Sequence, residues 1–405
     1  MLRLAFLNVF RHRGRSSIAV SAISFGVMAM MLAGGFLEWV FWGMRESTIQ
    51  SQLGHIQITR ADYLKKGVAA PFDYLLTDQV DTDALNSVVP ELEVVTPRIN
   101  FNGLIGHGDI TVAFVGEGVH PEKEKQLSKI FVITEGDGLS LEDPDGIIVG
   151  RGMAETLGVQ VGERVVLLAN TGTGSVNGVE AEVKGLFATG NKSFDDAVIR
   201  IPIAMARQLL RVSGAHAWVM LLDDTDHTDM VLQRLRERFS GVGSQVEFIP
   251  WYERADFYTK TVALFSRQMD VVKLIIALII VLSISNTMFM SVLERTGEIG
   301  TQMAIGVRRR KIMQLFISEG VLLGIIGGGI GLVLGVILAQ VISAVGIPMP
   351  SPPGMDIDVK GEILLTWPLV GGAFALAAIT TFFASLFPAW KASRLEVVNA
   401  LRHNR

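Results

Sequence analysis

Residues 294–320 read ERTGEIGTQMAIGVRRRKIMQLFISEG, a compact run holding three acidic and five basic residues. The twenty residues before it, 274–293, carry no charge, and neither does any residue of 320–355. What this charged island is depends on the apolar stretches around it. The chain is 405 residues long with a mean hydropathy of +0.41, and four stretches carry most of that: 16–45, 266–293, 320–347 and 363–390. Each meets or exceeds the roughly 20 residues that a helix needs to cross a hydrocarbon core of about 30 Å. Inside that core every backbone group must be bonded within the segment, so the four are expected to be transmembrane helices. Buried helices of a water-soluble core would be shorter, nearer 10–14 residues.

The first stretch follows a basic lead-in, but it is longer than the apolar region of a cleavable signal (about 7–15 residues) and ends in the aromatic run FLEWVFWGM, so a retained anchor is expected. Trp39, Trp42 and Trp367 lie near span ends, where aromatic side chains settle at the membrane interface. Four arginines precede the first span (Arg3, Arg11, Arg13, Arg15), five bases lie in 294–319, and four follow Trp390. The long segment 46–265 instead holds 19 basic against 31 acidic residues. Positive charge in short flanks marks the cytoplasmic side. Both termini and the island are therefore expected in the cytoplasm, with 46–265 and the short loop 348–362 outside. Leu2, Ala5, Phe6, Val9 and Phe10 form an apolar stripe beside the arginines, the pattern of an interfacial helix over 1–15.

The outer segment alternates β-rich runs (GHIQITRA, DITVAFVGEGV, ERVVLLA, AEVKGLFA) with amphipathic helical ones, which predicts an α+β domain, here expected in two lobes. A domain of that size can build its core without disulfides, in keeping with the absence of cysteine. Signs of chemistry are few. The group Asp223, Asp224, Asp226, His227 and Asp229 has the residue types of a metal site but stands ahead of an apolar helical pattern. Caps and first-turn acids are the expected roles there. NTGTGSVNG (170–178) is glycine-rich but lacks a following Lys-Ser/Thr, so a hairpin loop is expected. No Walker A, GxSxG or HExxH motif occurs, and the basic residues flank membrane spans rather than forming a nucleic-acid surface.

Inside the third span, Gly320, Gly324 and Gly328 recur at four-residue steps, and Gly327, Gly331 and Gly335 repeat the pattern beside them. Small residues at that spacing let helices approach at backbone distance in lipid. Toward the middle of the second and third spans the polar residues are few, Ser283, Ser285, Asn286, Thr287 and Gln340, and none of these is ionisable, which argues against an ion-driven carrier. The first span is rich in Met and aromatics. Met28, Met31, Phe36, Trp39 and Met44 are the candidates for an adaptable apolar substrate surface.

In the island, Glu294 and Glu298 lie one helical turn apart, Ile299 and Met303 another, and Gly300 and Gly306 punctuate it. The pattern is that of a short helix with an apolar face for a partner's groove, followed by Arg308–Lys311 toward anionic head groups. Its spacing resembles the ER-x-x-EIG-x-x-x-A-x-G signature of the MacB/FtsX/LolC–LolE permeases, through Glu294, Arg295, Glu298, Ile299, Gly300, Ala304 and Gly306, with Glu319 and Gly320 further on. The tail LFPAWKASRLEVVNALRHNR resembles that family's ending at Pro388, Ala389, Ala392, Arg394, Ala400, Leu401 and Arg402. Met303, where the family often has Arg, and Val397 and Val398, in place of the tail's usual Pro, depart from the pattern. The order of one span, a large outer domain and three further spans resembles the family over the whole chain.

The resemblance implies an inner-membrane permease subunit with no cofactor of its own, working with a separate ATPase that binds ATP and Mg. It further implies a second permease copy or sister permease, and a lipid or lipoprotein substrate. The seven motif residues from Glu294 to Gly306 would be the ATPase-coupling positions. Three roles compete within such a family: lipoprotein release, efflux and mechanical signalling. The lack of a fused nucleotide-binding domain and the Met-rich first span lean toward lipoprotein release. A membrane-anchored enzyme is the reading of a different class, and it leaves the island unexplained.

Overall fold

In the computed structural model the described residues are Asn8, Arg11, 13–67, 69–76, 82–128, 131–189, 192–239, 246–349 and 359–395. The proposed interfacial residues Leu2, Arg3, Ala5, Phe6, Val9 and Phe10, the tail residues Val397, Val398, Ala400, Leu401 and Arg402, and most of the 348–362 loop lie outside them. The chain divides into two compact units, one of Met1–Trp42, Thr261–Met349 and Lys360–Arg405, the other of Gly43–Lys260 and Pro350–Val359.

The first unit is helical. Four described helices are long and apolar enough to span a membrane: α1 (Arg13–Thr48), α6 (Asp256–Glu294), α8 (Arg309–Val345) and α9 (Trp367–Ser393). The expected spans are all present, but α1, α6 and α8 run past their apolar stretches. At 1.5 Å per residue α6 is about 58 Å long, well beyond the hydrocarbon thickness. The second half of the charged island is not loop: α8 begins at Arg309, eleven residues before the expected start at 320. Arg309 to Glu319 contain no helix breaker, so the helix propagates from the membrane into the charged region. The helical core joins Ile23, Val27, Met31, Ile284, Met288, Phe316, Leu323, Ala377 and Ala389.

The second unit is a ten-stranded mixed sheet with helices. In chain order it comprises β1 (Ile56–Arg60), β2 (Leu92–His107), β3 (Ile110–Val119), α2 (Pro121–Leu127), β4 (Val132–Gly136), β5 (Gly146–Gly150), α3 (Arg151–Leu157), β6 (Arg164–Asn170), β7 (Val176–Ala188), β8 (Val198–Pro202), α4 (Ile203–Leu210), β9 (Ala217–Leu222), α5 (Thr228–Phe239) and β10 (Val246–Pro250). The strand order is β10-β1-β9-β2-β3-β8-β5-β7-β4, with β6 against β2 and β7. β3 runs parallel to β8 and β5 to β7; the other pairs are antiparallel. β5 and β8 are buried along their whole length, β5 as an unbroken apolar run and β8 with the charged Arg200 at its centre, whereas β6 alternates buried and exposed residues.

The two expected lobes are in fact one sheet. The reason is the length of β2: at 16 residues it pairs with β9 through 92–98 and with β6 through 103–106, so strands from both halves share one ladder. α3, α4 and α5 add Met153, Leu209 and Leu235 to the same apolar core.

Candidate functional site

The charged island folds as a turn between two long helices. α6 ends at Glu294, Arg295 leaves the helical region, and a short helix α7 covers Thr296–Ala304. It closes with Gly306 at φ +96°, a left-handed conformation that suits glycine, while Val307 N–H reaches Gln302 C=O at 3.0 Å and Gly306 N–H reaches Met303 C=O at 3.0 Å. Those two bonds are a Schellman ending, which satisfies the last carbonyls of α7 and turns the chain into α8.

α7 has two faces. On the inner face Gly297, Ile299 and Gly300 are buried, and Ile299 joins the same apolar cluster as Met288, Ile312 and Phe316. The Arg295 side chain is 8% exposed; its NH1 donates to Glu319 Oε1 at 2.8 Å, its Nε to Glu298 Oε2 at 3.4 Å, and its guanidinium lies 5.3 Å from the centre of the Phe316 ring. Asn8 Nδ2 donates to the same Glu319 Oε1 at 2.6 Å. Around this buried centre stand two outer pairs, Arg11 NH1 with Glu298 Oε1 at 3.2 Å and Arg15 with Glu294. The exposed pairs are worth roughly 0–1 kcal/mol each. Breaking the buried Arg295–Glu319 pair by removing one partner would cost about 3–5 kcal/mol, because it strands a charge.

On the outer face Thr301, Ala304, Ile305 and Gly306 are exposed, Ile305 to 78%, and Arg308, Arg309, Arg310 and Lys311 follow them into solvent. The seven motif residues thus divide. Glu294, Glu298, Ala304 and Gly306 face outward. Arg295, Ile299 and Gly300 do not present a face to a partner, as the spacing suggested; they pack into the chain's own bundle, since an apolar residue next to three helices finds cover there. Ile305, which the motif spacing did not single out, is the large apolar residue of this outward row; its place beside a glycine C-cap is the signal in the sequence that marks it.

The two glycine rows serve two neighbours. A Cβ at Gly320, Gly324 or Gly328 would meet Ser385, Thr381 and Phe374 on α9, whereas one at Gly327, Gly331 or Gly335 would meet Ile23, Ser24 with Val27, and Met31 on α1. α8 is therefore wedged between α1 and α9, and Ser24 Oγ donates to the Gly327 carbonyl at 2.8 Å across one contact. Among the polar span residues, Ser285 Oγ donates to Ala384 C=O on α9 at 3.2 Å and Thr287 Oγ1 to Ser283 C=O at 2.9 Å. Of the candidate substrate surface, Met31 is corrected: it is 0% exposed because Gly335 admits it against α8. Met28, Phe36, Trp39 and Met44 are half-buried, with Phe36 stacked on Trp39 at 6.1 Å.

In the sheet unit, a π-helical turn (Ile49–Leu53) follows α1 and is held by two buried arginines. Arg200 donates to Ser51 C=O at 2.8 Å, and Arg98 to Gln52 C=O. Arg200 also bonds Glu117 at 2.7 Å and Ser128 Oγ at 2.8 Å, while Glu124 pairs with both arginines. Burial alone would raise the Glu124 carboxyl, but Arg98 and Arg200 beside it hold it below the usual carboxylate range. A cavity of about 280 Å³ adjoins this network, walled by Phe131, Ile133, Leu139 and Ile148. Its floor is saturated, with every nitrogen of Arg200 engaged by the protein itself. Asp224 accepts from Asp226 N–H at 2.9 Å and Asp223 pairs with His227 at 2.9 Å, so that group caps a helix start as expected; no cluster of metal-ligating residues occurs among the described residues.

Comparison with known proteins places these observations. Residues 16–238 match the MacB-like periplasmic core domain, and residues 271–397 match the FtsX-like permease C-terminal domain. A lipoprotein-releasing system transmembrane protein LolC of Xylella fastidiosa is 25% identical over 337 residues, covering 79% of this chain and 80% of its own. An uncharacterized ABC transporter permease of Methanocaldococcus jannaschii is 24% identical over 99% of this chain and 97% of its own. The macrolide export ATP-binding/permease protein MacB of Escherichia coli is 25% identical over 77% of this chain and 47% of its own, so the chain spans about half of that relative. The extracellular domain of the noncanonic ABC-type transporter YknZ from Gram-positive bacteria is similar at 14% identity and a TM-score of 0.36, over 49% of this chain and 99% of that one. The four membrane helices, the mixed sheet between the first and second, and the matched domains together identify the chain as a member of the MacB/FtsX/LolC family of ABC transporter permeases.

Proposed function

We propose that the chain is the permease half of a transporter whose separate ATPase docks on the exposed end of α7, and that its cargo is a lipoprotein lifted from the inner membrane toward the outer one. ATP and Mg belong to the partner, and this chain supplies no catalytic group. The observation that carries the docking reading is the outward row Thr301, Ala304, Ile305 and Gly306 with Arg308–Lys311 behind it, on a helix whose other face is anchored to the bundle. An apolar knob on a firmly seated helix can receive force without absorbing it in local rearrangement. On this reading α7 and both termini lie in the cytoplasm and the sheet unit outside the inner membrane, an orientation that the short basic flanks support.

Lipoprotein release is favoured by the reciprocal coverage of the LolC relative, about four-fifths of both chains. The half-exposed Met28, Phe36, Trp39 and Met44 on α1 would offer an acyl chain an apolar surface, and a second permease copy or sister subunit would close it. Depleting the chain should leave outer-membrane lipoproteins in the inner membrane, as seen on fractionation. The second reading, an efflux or mechanical-signalling permease, draws on the match of 16–238 to the MacB-like core. Normal lipoprotein sorting with raised drug sensitivity on depletion would favour efflux.

A further inference from the structure

We propose that Glu319 on α8, held by Asn8 and by Arg295 at the start of α7, is the pivot of a clamp that ties the N-terminal segment to the turn of α6, α7 and α8, so that motion of α7 reaches the first span on the cytoplasmic side. The proposal deepens the docking reading above and rests on it. α7 is joined covalently to α6 and α8, and motion along those two helices needs no special device. α1 has no such covalent link, since its residues and those of α7 are separated by some 280 positions in the chain, and its packing on α8 through Gly327, Gly331 and Gly335 lies further along the span than the turn. Yet three side chains of the N-terminal segment, Asn8, Arg11 and Arg15, spaced by three and four as on one helical face, engage Glu319, Glu298 and Glu294 respectively.

The three bonds are not equivalent. Arg11 and Glu298 are exposed and screened by solvent, so that pair can exchange for water with little loss. Glu319 is 4% exposed and shares one carboxylate oxygen between Asn8 and Arg295, so pulling Asn8 away leaves part of a buried charge without its donor. Arg295 in turn is fixed over Phe316 in the apolar core. A cavity of about 30 Å³ beside the pivot is lined by Asn8, Arg15, Ser16, Thr287, Ser291 and Glu319, so α6, α8 and the N-terminal segment all meet there. Elements that share a buried charge move together, because sliding one past the others exposes the mismatch. Asn8 and Arg15 are thus positioning residues for the coupling motion.

The chain has no cysteine, so single cysteine reporters can be placed at will. Trp42 on α1 is 50% exposed and Val271 on α6 is 56% exposed. The experiment uses full-length chain co-purified with its ATPase in nanodiscs, carrying W42C or V271C, and measures maleimide alkylation rates with and without ATP and vanadate. In the parent both reporters should change rate with nucleotide. With Asn8→Leu and Arg15→Gln, the nucleotide-dependent ratio at W42C should fall at least about threefold while that at V271C and the yield of ATPase stay as in the parent. Asn8→Gln with Arg15→Lys, which keeps both donors, should restore the W42C ratio. An unchanged W42C ratio in the disrupted variant overturns the clamp, as does a parallel fall at both reporters, which would mean a general structural role. A parent that responds at V271C but not at W42C also overturns the clamp while leaving the docking reading intact. A parent that responds at neither site removes both.

Discussion

Gly331 and Gly329 stand two residues apart in α8 and face opposite consequences. A Cβ at Gly331 would lie 2.7 Å from the Ser24 carbonyl oxygen and 2.8 Å from Val27 Cβ, both on α1, whereas one at Gly329 would meet nothing within 4 Å. Gly331→Val must push α1 and α8 apart, at a cost of roughly 1–3 kcal/mol typical of overpacking. Gly329→Ala adds a better helix former in open space and should not destabilise. Thermal midpoints of the detergent-solubilised chain should therefore fall for the first and hold for the second. Equal behaviour would mean that the α1–α8 approach is not close. A second residue-scale prediction concerns two buried histidines. Burial lowers His55 and His216 each from an ordinary 6.5 to about 4. Both are held neutral by accepted bonds: Leu222 N–H to His55 Nδ1 at 2.9 Å, and Asn100 N–H to His216 Nδ1 at 3.1 Å. Because the unfolded chain takes up protons first, stability is full above about pH 7 and is lost as pH falls toward 4. Each histidine should remove roughly 2 kcal/mol between pH 7 and 5. Unfolding of the sheet unit followed by tryptophan fluorescence at the two pH values checks this. His216→Phe, which keeps the ring packing on Tyr63 and Phe72 but cannot titrate, should halve the dependence and leave the share due to His55.

At the scale of elements, α7 shows how much a local pattern can announce. Its first residues, the one-turn spacing of Glu294 and Glu298 and the stop at Gly306 follow from neighbours within a few positions, so all were legible. The two glycine rows were legible for the same reason, although their partners were not: nothing local says that one row meets α9 and the other α1. Long-range pairings are invisible in a single sequence. Asn8 finds Glu319 across 311 positions, and Arg200 finds Ser51 across 149. The joining of the sheet into one body and the burial of Met31 belong to the same class, because each depends on what another element brings. The tightness of the α7 ending gives a test at this scale. Gly306 at φ +96° accommodates the Schellman bonds without strain, and Gly306→Val would force a β-branched residue into a region it avoids, costing on the order of 1–3 kcal/mol. Amide exchange in 302–307 should accelerate in that variant while exchange in β5 and β8 is unaltered. Unchanged protection would show that the turn is held by something other than its backbone.

For the whole molecule, the decisive matter is whether force enters at one small apolar point. Ile305 presents 78% of its surface beside a cluster of four bases, yet it sits on a helix seated by Ile299 and the Arg295–Glu319 pair. An exposed side chain can be changed without disturbing that seating, so Ile305→Asp separates docking from folding. A central apolar anchor in a protein interface commonly contributes 2 kcal/mol or more, which corresponds to about a thirtyfold loss of affinity. Affinity-tagged Ile305→Asp chain purified from membranes should therefore retain its thermal midpoint and lose at least about nine-tenths of the co-purified ATPase, while Leu141→Asp, at an exposed position of the sheet unit, should lose none. The same variants test the sidedness of the fold, because a soluble ATPase reaches only the cytoplasmic face. If Leu141→Asp released the ATPase and Ile305→Asp did not, the orientation drawn from the basic flanks would be inverted, and α7 would lie on the wrong side of the membrane to receive any push.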